Sequence, residues 1–129
     1  MLNKPYGLAC HGGSGVQLGV IETLRLLRPE EKDLELVHRL DRDTSGCLMI
    51  AKKRRFLKEI QVMLANGGTK KQYSLVAGGR WPREKDYANA PLDKDSRQGG
   101  QRLVRVSRDG KPSETRFEVV KASATHSWV

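Results

Sequence analysis

The apolar residues of this chain fall into short runs, and only two of those runs keep helical spacing. Residues 16 to 27, VQLGVIETLRLL, place Val20, Ile21, Leu24 and Leu27 on one helical face. Pro29 stops that helix. Residues 54 to 65 make the second, with Phe56, Leu57, Ile60, Met63 and Leu64 on one side and Asn66-Gly67-Gly68 as its C-terminal stop. NKPYGLACHGGSG (3–15) reads as a loop, and most of what remains is strand-like and punctuated. DLELVHRL (33–40) alternates, DRDTSG (41–46) turns, and CLMIA (47–51) reads as a strand buried on both faces. KQYSLVAGG (71–79) is another strand, and residues 80 to 100 read as irregular and polar. QRLVRVS and ETRFEVV are strands joined by the turn RDGKPS, and THSWV begins a further strand. Strands outnumber helices, and the late ones follow each other closely. The expected fold is α+β, a mixed, mainly antiparallel sheet flanked by helices. A chain of 129 residues has room for one core. Its abrupt start, and an end inside the apolar run HSWV, read as a piece of a larger domain.

Composition narrows the class. No stretch approaches the roughly 18 apolar residues that span a bilayer. MLNKPYGLACHGG lacks the basic-then-apolar order of a secretory signal, so a cytoplasmic location is expected. Cys10 and Cys47 are too few for a disulfide framework and form no C-x-x-C pair. They read as reduced thiols, with Cys47 buried in its strand. A zinc set of Cys10, His11, His38 and Cys47 fits no familiar module. The net charge of +9 attracts polyanions, of which nucleic acid is the foremost in the cytoplasm. KKRRFLK (52–58) holds five bases and no acid. Residues 97 to 111 set Arg97, Arg102, Arg105, Arg108 and Lys111 against Asp109. Such runs are ordinarily solvated faces; two on one basic chain also fit a phosphate-backbone footprint.

The chemistry concentrates in VHRLDRDTSG (37–46). Strand alternation sends Leu34, Leu36, His38 and Leu40 to one face and Glu35, Val37, Arg39 and Asp41 to the other. His38 then reads as a core histidine bonded to backbone. Arg39 and Asp41 share the opposite face, with Asp41 where the strand meets the turn, a place where scaffolds present functional groups. The plain alternative for Arg39 is a surface ion pair with Glu35 or Asp41. Asp43, Thr44, Ser45 and Gly46 read as turn chemistry, with short polar side chains bonding the backbone and glycine accepting positive φ. The HGGSG loop offers N–H groups to a phosphate but lacks the Gly-Lys-Ser/Thr ending of a nucleotide loop, so no ATP site is expected.

Two resemblances extend this reading. Asp41 and Asp43 fit D-x-D-x-T, which resembles the haloacid-dehalogenase phosphotransferases. Those enzymes place a hydrophobic strand directly before the first aspartate, where this chain has HRL. They also carry a later acidic pair for magnesium, which this chain lacks. The second resemblance is broader. HRLDRDTSG with its following apolar run and AKK, LNKPYGLACHGG, KKQYSLVAGG and GKPSETRFEVV, in order over nearly all 129 residues, resemble the RluA-type pseudouridine synthases. HGGSG, ELVHRLDRDTSG and GKPSETRF point to a branch acting on large-subunit ribosomal RNA.

That resemblance implies isomerisation of uridines in RNA, with no cofactor and no metal. It carries the catalytic aspartate onto Asp41, as nucleophile or base. Arg39 fills the space left by the extruded base or contacts phosphate, as a planar guanidinium can. Arg42 is a further RNA contact. Tyr73 packs on the target base, against the plain reading of a half-buried strand tyrosine. The implied partner is ribosomal RNA, with no membrane, and the protein is expected to be a monomer. Family members continue into a Thr-Gly-Arg-Thr-His-Gln-Ile-Arg-type segment whose basic residue pairs with the aspartate, and this branch commonly carries an N-terminal RNA-binding domain. Neither is found in residues 1–129. These residues are therefore expected to be part of a single catalytic domain, weakly active or inactive by themselves. The competing class is a non-catalytic basic RNA-binding module, which explains the charge but not Arg39 and Asp41 on one face.

Overall fold

The first half of the chain packs around Leu48, which is fully buried. A computed structural model describes residues 1–13, 15–94 and 104–129. They divide into two units, Met1–Lys71 and Gln72–Val129. Two helices and short strands paired antiparallel throughout the described residues bear out the α+β expectation.

The first unit holds β1 (Leu2–Lys4), α1 (Val20–Leu27), β2 (Glu35–Leu36), β3 (Gly46–Leu48), β4 (Ile50–Ala51) and α2 (Arg54–Ala65). β1 pairs with β3, setting Leu2 opposite Leu48 and Lys4 opposite Gly46. β2 pairs with β4. CLMIA is thus two short strands with different partners. Leu48 and Ala51 are buried, but Cys47 is exposed, so the run is not buried on both faces.

Two apolar clusters form. Cys10, Val20, Leu40 and Leu48 make one, with Leu2, Leu24, Leu36 and Ile50 packed against it. Val37, Ala51 and Leu57 make the other, covered by Met49, Ile60 and Leu64. α1 starts at Val20 rather than 16, and Leu27 is exposed rather than on the packed face. α2 spans Arg54–Ala65 as its apolar spacing predicts. Gly67 takes φ 71° and the Gly68 N–H reaches Met63 O at 2.8 Å, closing the helix as its Asn-Gly-Gly stop requires.

The expected alternation over 33–40 fails after Leu36. Ladder pairing covers only Glu35–Leu36, the chain then bends, and burial falls on Leu34, Val37 and Leu40. Val37 joins the α2 cluster and Leu40 the α1 cluster. Arg39 and Asp41 remain exposed.

The second unit holds β5 (Val76–Gly78), β6 (Tyr87–Asn89), β7 (Leu92–Lys94), β8 (Val104–Val106), β9 (Glu114–Arg116), β10 (Lys121–Ala122) and β11 (His126–Trp128). β11 lies between β5 and β10. β6 pairs with β9 and β7 with β8. Residues 80–100 are therefore not simply irregular, since two paired strands form there. The RDG turn does not close a hairpin between β8 and β9. It bulges from one arm of a ribbon, held by Gly110 N to Ser107 O (3.0 Å) and by Leu92 and Lys111 exchanging both backbone bonds. A Cβ on Gly110 would lie 2.6 Å from the Leu92 backbone, so only glycine fits that crossing.

Candidate active site

Residues 4 to 11 grip residues 39 to 42. Lys4 is fully buried. Its ammonium has three N–H donors, and they meet three carbonyls: Pro5 O at 3.0 Å, Leu8 O at 2.6 Å and Arg42 O at 3.0 Å. A buried charge without such partners costs several kcal/mol. Gly7 N–H also donates to Arg42 O (2.9 Å), and Arg42 Nε donates back to Gly7 O (3.0 Å). Cys10 Sγ donates to Leu40 O (3.1 Å) and accepts Leu40 N–H (3.3 Å). Arg39 Nη1 donates to His11 Nε2 at 2.9 Å.

The gripping loop is itself anchored. The first N–H groups of a helix lack partners within it. In α1, Val20 N–H donates to Ala9 O (2.9 Å) and Ile21 N–H to Cys10 O (3.1 Å). Glu22 Oε2 accepts the N–H of Gly12 (3.0 Å) and of Gly19 (2.9 Å). Partial desolvation pushes the Glu22 carboxyl up. The N–H groups of Gly19, Glu22 and Gly12, with His11 nearby, outweigh it, so Glu22 sits below the usual carboxylate range. A Cβ on Gly19 would lie 2.5 Å from the His11 backbone.

Asp41 stands apart from this network. Its main-chain carbonyl accepts the Thr44 N–H (3.1 Å), which forms the turn. Its carboxylate is exposed, with no hydrogen bond or ion pair among the described residues. Arg39 forms no ion pair with Glu35 or Asp41 among them; it turns to His11 instead. His38 is half-buried and its Nε2 accepts the Met49 N–H (3.2 Å), the backbone-bonded histidine expected. Gly46 takes φ 121°, as the turn reading required. The side chains of Asp43, Thr44 and Ser45 make no hydrogen bond among the described residues, so the turn rests on main-chain bonding rather than on their oxygens.

Other candidates resolve differently. In HGGSG the Gly12 N–H is taken by Glu22 and the Gly13 N–H by Val16 O, so two of its amides are unavailable to a phosphate. Cys10, His11 and His38 direct ring or thiol atoms to backbone and to Arg39, and no metal-holding group of three His, Cys, Asp or Glu occurs among the described residues. Tyr73 is 59% exposed in an extended segment before β5, neither half-buried nor in a strand. In the 52–58 run, Lys52 donates to Glu31 (2.7 Å) and Arg55 lies over the Phe56 ring (4.5 Å). Lys53, Arg54 and Lys58 are exposed, without ion pairs among the described residues. Of the second run, Arg97 and Arg102 lie outside the described residues, while Arg105, Arg108 and Lys111 are exposed. No described helix is long and apolar enough to cross a membrane.

Sequence reasoning missed Lys4, and it read Cys10 only as a thiol. Lys4 follows only Leu2 and Asn3 in β1, so no apolar run marks it; two of its three acceptors lie on the segment just after it and the third is Arg42 O.

The profile of the RNA pseudouridylate synthases matches residues 1–129, and the chain belongs to that family. It is 56% identical over 119 residues to ribosomal large subunit pseudouridine synthase C of Escherichia coli K12, covering 92% of this chain and 37% of that protein. The protein of the same name from Yersinia pestis is 53% identical over 119 residues, again covering 92% of this chain and 37% of its own length. The chain thus spans well under half the length of these relatives. Among solved structures, human RNA pseudouridylate synthase domain containing 4 superposes with a TM-score of 0.72 over 98% of this chain and 52% of its own. At 24% identity that likeness is one of fold.

Proposed function

We propose that this chain is part of the catalytic domain of an enzyme that converts specific uridines of large-subunit ribosomal RNA to pseudouridine. The observation that carries the reading is Asp41: an exposed carboxylate without a hydrogen bond or ion pair among the described residues, on a segment whose neighbours Arg39, Leu40 and Arg42 are all tied down. The relatives named for that activity support it.

The reaction breaks the bond between the sugar C1′ and the uracil nitrogen, turns the base, and joins C1′ to a ring carbon. That carbon gives up its hydrogen as a proton, and the nitrogen released from C1′ takes a proton up. No electron or phosphoryl group is transferred, so the chemistry calls for no cofactor. Asp41 acts ionised, as nucleophile or base. The target base leaves the RNA stack, at a cost of a few kcal/mol. Arg39 contacts the RNA at the vacated position, Arg42 contacts phosphate through the guanidinium nitrogens not bonded to Gly7, and Tyr73 stacks on the base. The location is cytoplasmic and the protein monomeric in this reading. The 129 residues by themselves are weakly active or inactive.

The test is a map of pseudouridines in large-subunit ribosomal RNA from a strain lacking the gene. Particular sites should disappear, return with the wild-type gene, and stay absent with Asp41→Asn. An unchanged map sinks the reading.

A further inference from the structure

The Arg39 guanidinium is exposed, and a long exposed side chain ordinarily samples many rotamers. Here it meets an imidazole whose two nitrogens both have assigned roles. His11 Nδ1 lies 2.7 Å from Gly12 O, and a carbonyl only accepts, so Nδ1 carries the proton. Nε2 then offers its lone pair, and Arg39 Nη1 donates to it at 2.9 Å. Arginine has no acceptor, so this bond exists only while Nε2 is unprotonated. The loop cannot drift away from Arg39, because Cys10 O, Gly12 N–H and the close approach of Gly19 fasten it to α1.

We propose that His11, as a neutral ring, is a positioning residue that orients the Arg39 guanidinium toward the RNA. The proposal rests on the reading of Arg39 as an RNA contact. Without that acceptor Arg39 loses its one side-chain partner among the described residues, so His11 acts on substrate capture while never touching the reacting atoms.

The experiment uses the full-length protein, with kcat and KM measured by tritium release from labelled ribosomal RNA. The variants are His11→Ala, His11→Gln, Arg39→Ala and the His11→Ala/Arg39→Ala pair. His11→Ala should raise KM about tenfold with kcat nearly unchanged, the scale of one hydrogen bond to a charged group. A glutamine oxygen can replace Nε2 as acceptor. His11→Gln should therefore keep KM within about twofold of wild type. The double variant should be no worse than Arg39→Ala. An unaltered KM in His11→Ala, or losses that multiply in the double variant, overturns the role of His11. Undiminished capture by Arg39→Ala overturns the reading of Arg39 with it, whereas the chemistry assigned to Asp41 is reported separately by Asp41→Asn in the same assay.

Discussion

The buried apolar side chains of the described residues all lie between Cys10 and Leu57, in the first unit. The second unit's one buried side chain among those residues is polar. Ser127 Oγ accepts the Trp81 N–H (2.8 Å) and donates to Gly79 O (3.0 Å). Val76, Val104, Val106 and Val120 are more than half exposed. One unit is shaped by packing, the other by backbone ladders and a few side-chain bonds. The difference bears on function. A close-packed region fixes its loops within narrow limits, and residues 39–42 hang from such a region. Tyr73 leads into a sheet held mainly by main-chain pairing.

The largest effect that can break this comparison is in the core. Leu48→Ala should cost about 3–4 kcal/mol of stability in urea denaturation. Val106→Ala, on the exposed ribbon, should cost under about 1 kcal/mol. Equal losses would erase the distinction between the units. Next comes the buried ammonium. Lys4→Met leaves Pro5 O and Leu8 O without their donor, and should cost about 2–3 kcal/mol. Because Arg42 O loses a partner too, catalysis should fall with stability, even at temperatures where the variant stays folded. Tyr73→Ala should lower kcat/KM by about tenfold through lost stacking, with no change in melting temperature. Tyr73→Phe should behave as wild type.

The smallest effect concerns the anchor of the gripping loop. Glu22 sits below its ordinary value of 4.5 when folded. A depressed carboxylate stabilises above the unfolded value, and the contribution is lost as pH falls through the folded one. Glu22→Gln should therefore cost about 1 kcal/mol at pH 7, and the gap to wild type should close below about pH 4.5. A gap that persists at low pH would show that the carboxylate charge is not what holds Gly12 and Gly19.

Much of this architecture is legible in the sequence, for physical reasons that differ by element. Residues 54 to 65 read correctly because apolar spacing and the Asn-Gly-Gly stop are local signals. Alternation over 33–40 misleads because Val37 and Leu40 feed two clusters, and only distant residues decide which. Strands β6 and β7 are invisible in a polar stretch, since their order comes from partners ten or more residues away. Within the site, the exposure of Arg39 and Asp41 and the backbone bond of His38 agree with the sequence reading, although the alternation it used ends at Leu36. The grip of Lys4, Cys10 and His11 does not follow from local pattern, because it joins loops about 30 residues apart. Cys47, expected to be buried, is exposed for the same reason: burial belongs to Cys10, the thiol that meets Leu40.

The account stands most directly on Asp41. In the full-length protein, tritium release from labelled large-subunit ribosomal RNA and RNA affinity should be measured together for Asp41→Asn. The carboxylate makes no hydrogen bond or ion pair among the described residues, so the variant should fold and bind RNA as wild type does. Turnover should fall by at least about 10²–10⁴-fold, the range for a lost acid–base group. Turnover that survives the substitution would contradict the assignment of the chemistry to Asp41.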